Sequence, residues 1–131
     1  MQFSTATEMA SNICQRLLDK EWRSYANDLD KAPTVEGIYA IGSAINGVVR
    51  YIYVGLSINI HSRLKEHKNK SQTLAIDKFV KQEFAENEGI NLRIKWVEEA
   101  NVKCVEGNYL NCIRIKLGYW PDYNKKHGNV C

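Results

Sequence analysis

Arg63 and His67 stand four residues apart in "NIHSRLKEHK", a spacing that puts both side chains on one face of a helix. A guanidinium is forked and permanently charged, which suits phosphate oxygens. A histidine, with an ordinary pKa of about 6.5, can take or relay a proton near neutral pH. Ten residues before Arg63 a strand-like run ends in Tyr53-Val54-Gly55, and an earlier one opens with Gly37-Ile38-Tyr39. An unperturbed phenol, with a pKa of about 10, is a poor base, and a nearby cation is what would favour its phenolate. Glu106 borders an apolar stripe of Val102, Val105, Tyr109, Cys112, Ile113 and Lys116. A carboxylate in that position needs a partner: a lysine, a backbone amide, or a divalent cation such as Mg²⁺, which commonly binds one or two carboxylates plus waters and phosphate. Each residue also has a plainer reading. Arg63 can pair with Glu66, His67 can be a solvated surface histidine, and the tyrosines can simply pack.

The elements that would position these groups follow from pattern. "VEGIYAIGSAINGVVRYIYVG" reads as a hairpin whose turn contains Asn46-Gly47, which leaves two registers open. A two-residue loop sets Tyr39 opposite Val54 and sends the two tyrosines to opposite faces. A three-residue loop, Ile45-Asn46-Gly47, sets Tyr39 opposite Tyr53 and Ile41 opposite Tyr51. It leaves Ile38, Ala40, Ile52 and Val54 as a clean aliphatic face, and because register follows the hydrophobic pattern it is the one expected.

Helical periodicity runs from about Thr7 to Leu29, with Met9, Ile13, Leu17, Leu18 and Trp22 three to four apart. Ser57 can cap a helix over about Ile58–Lys68. A second helix over about Leu74–Glu86 would bury Leu74, Phe79, Val80 and Phe84. "NLRIKWVEE" alternates as a third strand, and a last helix runs from an Asn101 cap to about Lys116, stopped by Gly118 and Pro121. The expected fold is α/β (α+β): a small three-stranded antiparallel sheet flanked by helices, in the order α-β-β-α-α-β-α. Residues 1–32 would form an N-terminal helical extension, and 33–131 the remaining domain.

At 131 residues, with 44% hydrophobic and 25% charged residues, the composition is that of one ordinary globular domain. No apolar run reaches signal-peptide or membrane-spanning length, so an intracellular location and no membrane partner are expected. Cys14, Cys104, Cys112 and Cys131 include no CxxC pair and are read as reduced thiols. The net charge of +3 is concentrated: Arg63, Lys65, Lys68, Lys70, Lys78 and Lys81 face only Glu66 and Asp77, with Lys125 and Lys126 near the end. Such a run is either a solvated face or a nucleic-acid footprint.

Taken together these residues resemble the GIY-YIG nucleases. Gly37-Ile38-Tyr39 matches the first triplet and Tyr53-Val54-Gly55 the second. Arg63 stands ten residues past the second tyrosine, Glu106 follows the third strand on a helix, and Asn124 closes "PDYN". The match spans roughly Pro33 to Lys125, and the Arg-x-x-x-His helix looks most like restriction-type members. The resemblance implies DNA phosphodiester hydrolysis with one Mg²⁺ (or Mn²⁺) held by Glu106. Tyr39 would be the general base, Tyr53 would position water or phosphate, and Arg63 would stabilise the transition state. Asn124 would brace the site, with Lys65, Lys68, Lys70, Lys125 and Lys126 on the DNA. Many members carry lysine after the second triplet where this chain has Leu56; His67 or Lys65 is the substitute on hand.

Two other classes compete with the enzyme. One is a non-catalytic nucleic-acid-binding module that keeps the fold; the other is a structural domain whose basic face meets an acidic protein. The signature positions are all filled, which favours the enzyme. One site cuts one strand, so a double-strand break needs a homodimer or successive nicks by a monomer.

Overall fold

A computed structural model describes residues 13–69, 74–100 and 102–124, without the side chains of 102–106. Among these residues a four-stranded antiparallel sheet, in the order β1-β4-β2-β3, separates two apolar layers. Its strands are β1 (Arg23–Ser24), β2 (Gly37–Ile45), β3 (Val48–Ser57) and β4 (Leu92–Glu98). The helices are α1 (Gln15–Leu18), α2 (Tyr25–Asp28), α3 (Ile60–Asn69), α4 (Ala75–Asn87) and α5 (Val102–Leu117), with a 3-10 turn at Leu29–Lys31. Alternation along β2 divides the layers. Ile38 and Ala40 join Val54, Val97 and Tyr109, Leu110, Cys112 and Ile113 of α5. Tyr39 and Ile41 join Leu64, Ile76 and Val80 of α3 and α4.

Three strands were expected and the described residues form four. The fourth is the two-residue β1, which pairs Arg23 with Ile94 and Ser24 with Arg93 and is too short to show alternation. It also interrupts the helix expected from Thr7 to Leu29, whose first residues lie outside those described. Leu17 of α1 packs in the α5 layer, whereas Tyr25 of α2 packs in the α3/α4 layer. The segment therefore wraps the sheet edge at β1, which a straight helix could not do. Lys95 Nζ donates to the carbonyls of Leu18 and Lys20, both at 3.2 Å, ending α1. The Ser24 hydroxyl accepts from Asn27 N at 3.1 Å and starts α2.

The hairpin departs from the expected register in an instructive way. Its loop is the two-residue one, with Asn46 and Gly47 at φ 53° and 79° and Ile45 opposite Val48, the pairing of a primed turn. A bulge then restores the parity this loop would have lost. Ile41 pairs with Tyr53 but Gly42 with Tyr51, so Ile52 is the extra residue. Tyr39 and Tyr53 end on one side of the sheet, as expected. Tyr51 and Ile52, however, exchange faces relative to the expectation. Tyr51 turns onto Trp22, ring centroids 4.7 Å apart, and Ile52 enters the Tyr39 layer.

The remaining elements differ in detail. Asn59 rather than Ser57 caps α3, its Oδ1 accepting from Ser62 N at 2.9 Å; the Ser57 hydroxyl instead bonds Asn59 N and O. In α4, Leu74 is 43% exposed, and the helix buries Ile76, Asp77 and Val80. Cys14 and Cys112, read as reduced thiols, form a disulfide with Cα atoms 5.7 Å apart. The N-terminal wrap carries Cys14 into the layer of α5, a proximity that a separation of 98 residues conceals. The side chain of Cys104 and all of Cys131 lie outside the described residues. No helix among the described residues is long and apolar enough to cross a membrane.

Candidate active site

The site is built at the Gly37/Gly55 end of the β2–β3 hairpin. Tyr39 lies opposite Gly55 and Ile41 opposite Tyr53, so the two tyrosines are diagonal neighbours on one face. Their ring centroids are 6.1 Å apart. Gly55 makes this possible, because a Cβ there would lie 2.5 Å from both Cζ and Oη of Tyr39 and 2.8 Å from Cε2 of Tyr53. The glycine of the second triplet is thus the floor on which the first tyrosine rests.

α3 follows β3 directly, and its start is fixed by the linker before β2. Ile60 N donates to Val35 O at 3.0 Å and His61 N to Pro33 O at 2.9 Å. The helix face carrying Arg63 and His67 is thereby turned onto the tyrosines. His67 is not a solvated histidine but is fully buried. Its Nε2 lies 2.6 Å from the Tyr39 hydroxyl, and its ring centroid lies 5.5 Å from that of Tyr53. On the other side, Nδ1 meets Oδ1 of Asp77 from α4, itself 5% exposed. Sequence reasoning did not single out Asp77. Its signal was an acidic residue in the first turn of an amphipathic helix, on the side that periodicity assigns to the core.

Burial governs the acid–base properties of these groups. It pushes the fully buried Tyr39 phenol well above its ordinary range; Tyr53 adds to the rise and Arg63 opposes it. Burial also holds His67 below its ordinary value, helped by Arg63 and opposed by Asp77. At neutral pH His67 is therefore an uncharged imidazole beside a protonated phenol. Arg63, with a side chain 26% exposed, makes the pair with Glu66 that its plain reading foresaw, Nη1–Oε2 3.1 Å. It does more than that. Burial alone would lower its pKa, yet the fields of Tyr39, Tyr53 and Asp77, with the Glu66 hydrogen bond, raise it.

Asn124 reaches the site through the backbone. β3 is an edge strand, and the Asn124 side chain acts as its missing neighbour. Oδ1 accepts from Val54 N and Nδ2 donates to Val54 O, both at 2.8 Å. Tyr123 N adds a bond to Ile52 O at 2.8 Å, and the Tyr119 hydroxyl accepts from Tyr51 N at 2.9 Å. Val54 lies between Tyr53 and Gly55, so this clamp fixes the second triplet. Asn124→Ala leaves both polar groups of a buried residue without it, a loss of about 1–3 kcal/mol. The expected result is a clear fall in thermal midpoint by calorimetry. Asn124→Asp sets a carboxylate oxygen against the Val54 carbonyl and should also lower the midpoint.

The other anticipated residues are less defined. Glu106 lies on α5, but its side chain is outside the described residues. The described side chains of α5 pack on the sheet face opposite Tyr39. Among the described residues no three of His, Cys, Asp and Glu come together as a metal cage. Such a cage is not required of Mg²⁺, which takes few carboxylates and keeps its waters. Lys65 is exposed, while Lys68 Nζ lies 4.6 Å over the Phe84 ring; Lys70, Lys125 and Lys126 lie outside the described residues. Leu56 packs into the α5 layer, turned away from Tyr39.

No protein-family model matches the chain, and no curated protein matches it in sequence. Among solved structures it is similar to the GIY-YIG N-terminal endonuclease domain of UvrC from Thermotoga maritima bound to its catalytic divalent cation, magnesium. The TM-score is 0.46 at 19% identity, covering 77% of this chain and 96% of that one. Two point-mutant forms of the same domain, also bound to the catalytic divalent cation, match with a TM-score of 0.44. One is 19% identical over 76% of this chain and 98% of the other; the second is 18% identical over 78% and 96%. These figures describe a likeness of layout. The chemistry rests on this chain's own side chains.

Proposed function

We propose that this chain is a divalent-metal-dependent DNA endonuclease of GIY-YIG type. The observation that carries the reading is the Tyr39–His67 hydrogen bond of 2.6 Å, with the Tyr53 ring packed against His67 and both members of the pair in the field of Arg63. Apolar packing alone does not explain a buried phenol–imidazole pair set in the field of a guanidinium. Tyr39 is the general base toward the attacking water, and its own proton passes to His67. The water enters between Tyr53 and Arg63, the two side chains of the group that solvent reaches. Tyr53 orients the water or the phosphate, Arg63 binds the phosphoryl oxygens as negative charge grows on them, and Asn124 holds the second triplet in register. Glu106 is the residue that would hold Mg²⁺, which supplies charge neutralisation at the phosphate. Lys65 and Lys68 of α3, with Lys70, Lys125 and Lys126, are the candidates for contact with the duplex backbone.

Supercoiled plasmid incubated with Mg²⁺ or Mn²⁺ tests this directly. The wild type is expected to convert it to the nicked form, with chelator or Glu106→Ala reducing conversion to background. Equal background from wild type and Glu106→Ala would remove the catalytic claim. Salt-sensitive retardation without nicking would identify a binding module instead.

A further inference from the structure

We propose that Asp77 is a positioning residue of this site: its carboxylate fixes the tautomer of His67 so that Nε2 is the acceptor for the Tyr39 hydroxyl. The inference deepens the nuclease reading and rests on it for its catalytic part, but its structural part stands alone. A neutral imidazole carries one N–H, and the hydrogen bond at one ring nitrogen decides the role of the other. A carboxylate can only accept, so Asp77 at Nδ1 draws the proton there. Nε2 is left with its lone pair facing Tyr39 Oη at 2.6 Å, and the phenol becomes the donor. The chain Asp77–His67–Tyr39 spans three elements, α4, α3 and β2, and all three residues are at most 5% exposed. The Asp77–His67 link is therefore shielded from bulk solvent.

The proton movements balance. As Tyr39 removes a proton from the attacking water, its own passes from Oη to Nε2, leaving an imidazolium against the Asp77 carboxylate. The hydroxide oxygen bonds phosphorus and the P–O bond to the leaving sugar oxygen breaks. That alkoxide takes a proton from solvent water, whose hydroxide recovers the extra proton of His67 through Tyr39. The Asp77 carboxyl group faces the imidazolium as it forms, through Nδ1. The groups facing His67 are Arg63 and Glu66 of α3, Tyr39 of β2, Tyr53 of β3 and Asp77 of α4, with the Tyr25 phenol of α2 in the field of Asp77. Arg63 opposes protonation of His67, while Asp77 and Glu66 favour it.

Asp77→Asn separates this role from a mere tether between helices, because an asparagine amide can donate to Nδ1 and move the proton to Nε2. Nitrogen-15 spectra of labelled histidine, with the His67 signal assigned by its loss in His67→Gln, read the tautomer in full-length protein. The wild type is expected to show Nδ1–H and Asp77→Asn to show Nε2–H. Nicking should fall on the order of 10²-fold or more while DNA retardation is unchanged. The wild-type rate should rise with pH as His67 loses its proton, at a pH below about 6.5, and Asp77→Asn should lose that limb. Asp77→Glu should keep the Nδ1–H tautomer and recover part of the rate; it also serves if the asparagine variant fails to fold. An unchanged tautomer in Asp77→Asn, an Nε2–H tautomer in Asp77→Glu that nicks like wild type, or a switched tautomer with full nicking each overturns the proposal. A wild type that never nicks overturns the nuclease reading instead, and the tautomer comparison still decides the positioning claim.

Discussion

Arg63→Ala is expected to lower plasmid nicking by on the order of 10²–10³-fold, the scale on which an aimed charge or donor contributes to transition-state stabilisation. Two effects add. The variant loses the guanidinium that meets the phosphoryl oxygens, and it loses the cation that opposes the burial-driven rise of the Tyr39 pKa. The Arg63–Glu66 pair decides less. It joins partly exposed groups three residues apart on one helix, and such pairs contribute roughly 0–1 kcal/mol. Stability should therefore barely move while activity collapses. Arg63→Lys restores the charge without the fork and should recover part of the rate. Glu66→Gln, which only releases Arg63, should stay within a few-fold of wild type. Initial rates of supercoil loss at saturating metal, alongside thermal melts, separate these outcomes. Arg63→Ala nicking within tenfold of wild type, at unchanged stability, would remove the guanidinium from the mechanism.

The parts of the molecule legible in the sequence were those governed by local pattern. The hairpin, β4 and the helices after it appear within a few residues of where alternation, 3.6-residue periodicity and stop signals put them. The parts that were not legible depend on contacts between distant segments. A two-residue loop and a bulge at Ile52 together give Tyr39 and Tyr53 the same relative parity as the expected three-residue loop. Parity alone therefore could not distinguish them; on the face it takes, Tyr51 meets Trp22 and Lys95, both distant in sequence. The wrap of residues 13–32 around the sheet edge depends on Lys95, far along the chain, accepting the role of helix stop. The disulfide depends on that wrap. For the site, motif spacing placed Tyr39, Tyr53, Arg63, His67 and Asn124 in one region, and their geometry joins them through Gly55 and Val54. Asp77 escaped because a single acid in the first turn of a helix is ordinary. Its meaning comes only from the buried imidazole it meets.

Gly55→Ala is expected to disable the same site without touching any group that reacts. A methyl at this position would stand 2.5 Å from Tyr39 Cζ and Oη and 2.8 Å from Tyr53 Cε2. Tyr39 is fully buried and held by His67, so its ring has nowhere cheap to go, and Gly55 is itself in a strand clamped by Asn124. Overpacking of this kind costs about 1–3 kcal/mol. It outweighs the gain of roughly 0.4–1 kcal/mol from restricting the unfolded chain. Because the displaced atom is the Tyr39 hydroxyl, the damage to catalysis should exceed the damage to stability. A shift of about 1 Å in a reacting group costs on the order of 10²-fold in rate. Gly47→Ala supplies the control: its φ of 79° is unfavourable, but nothing lies within 4 Å of an added Cβ. It should lose about 1 kcal/mol and nick normally. If both variants melted alike and Gly55→Ala retained full nicking, the contact between this glycine and the tyrosine would have no part in holding the phenol against His67.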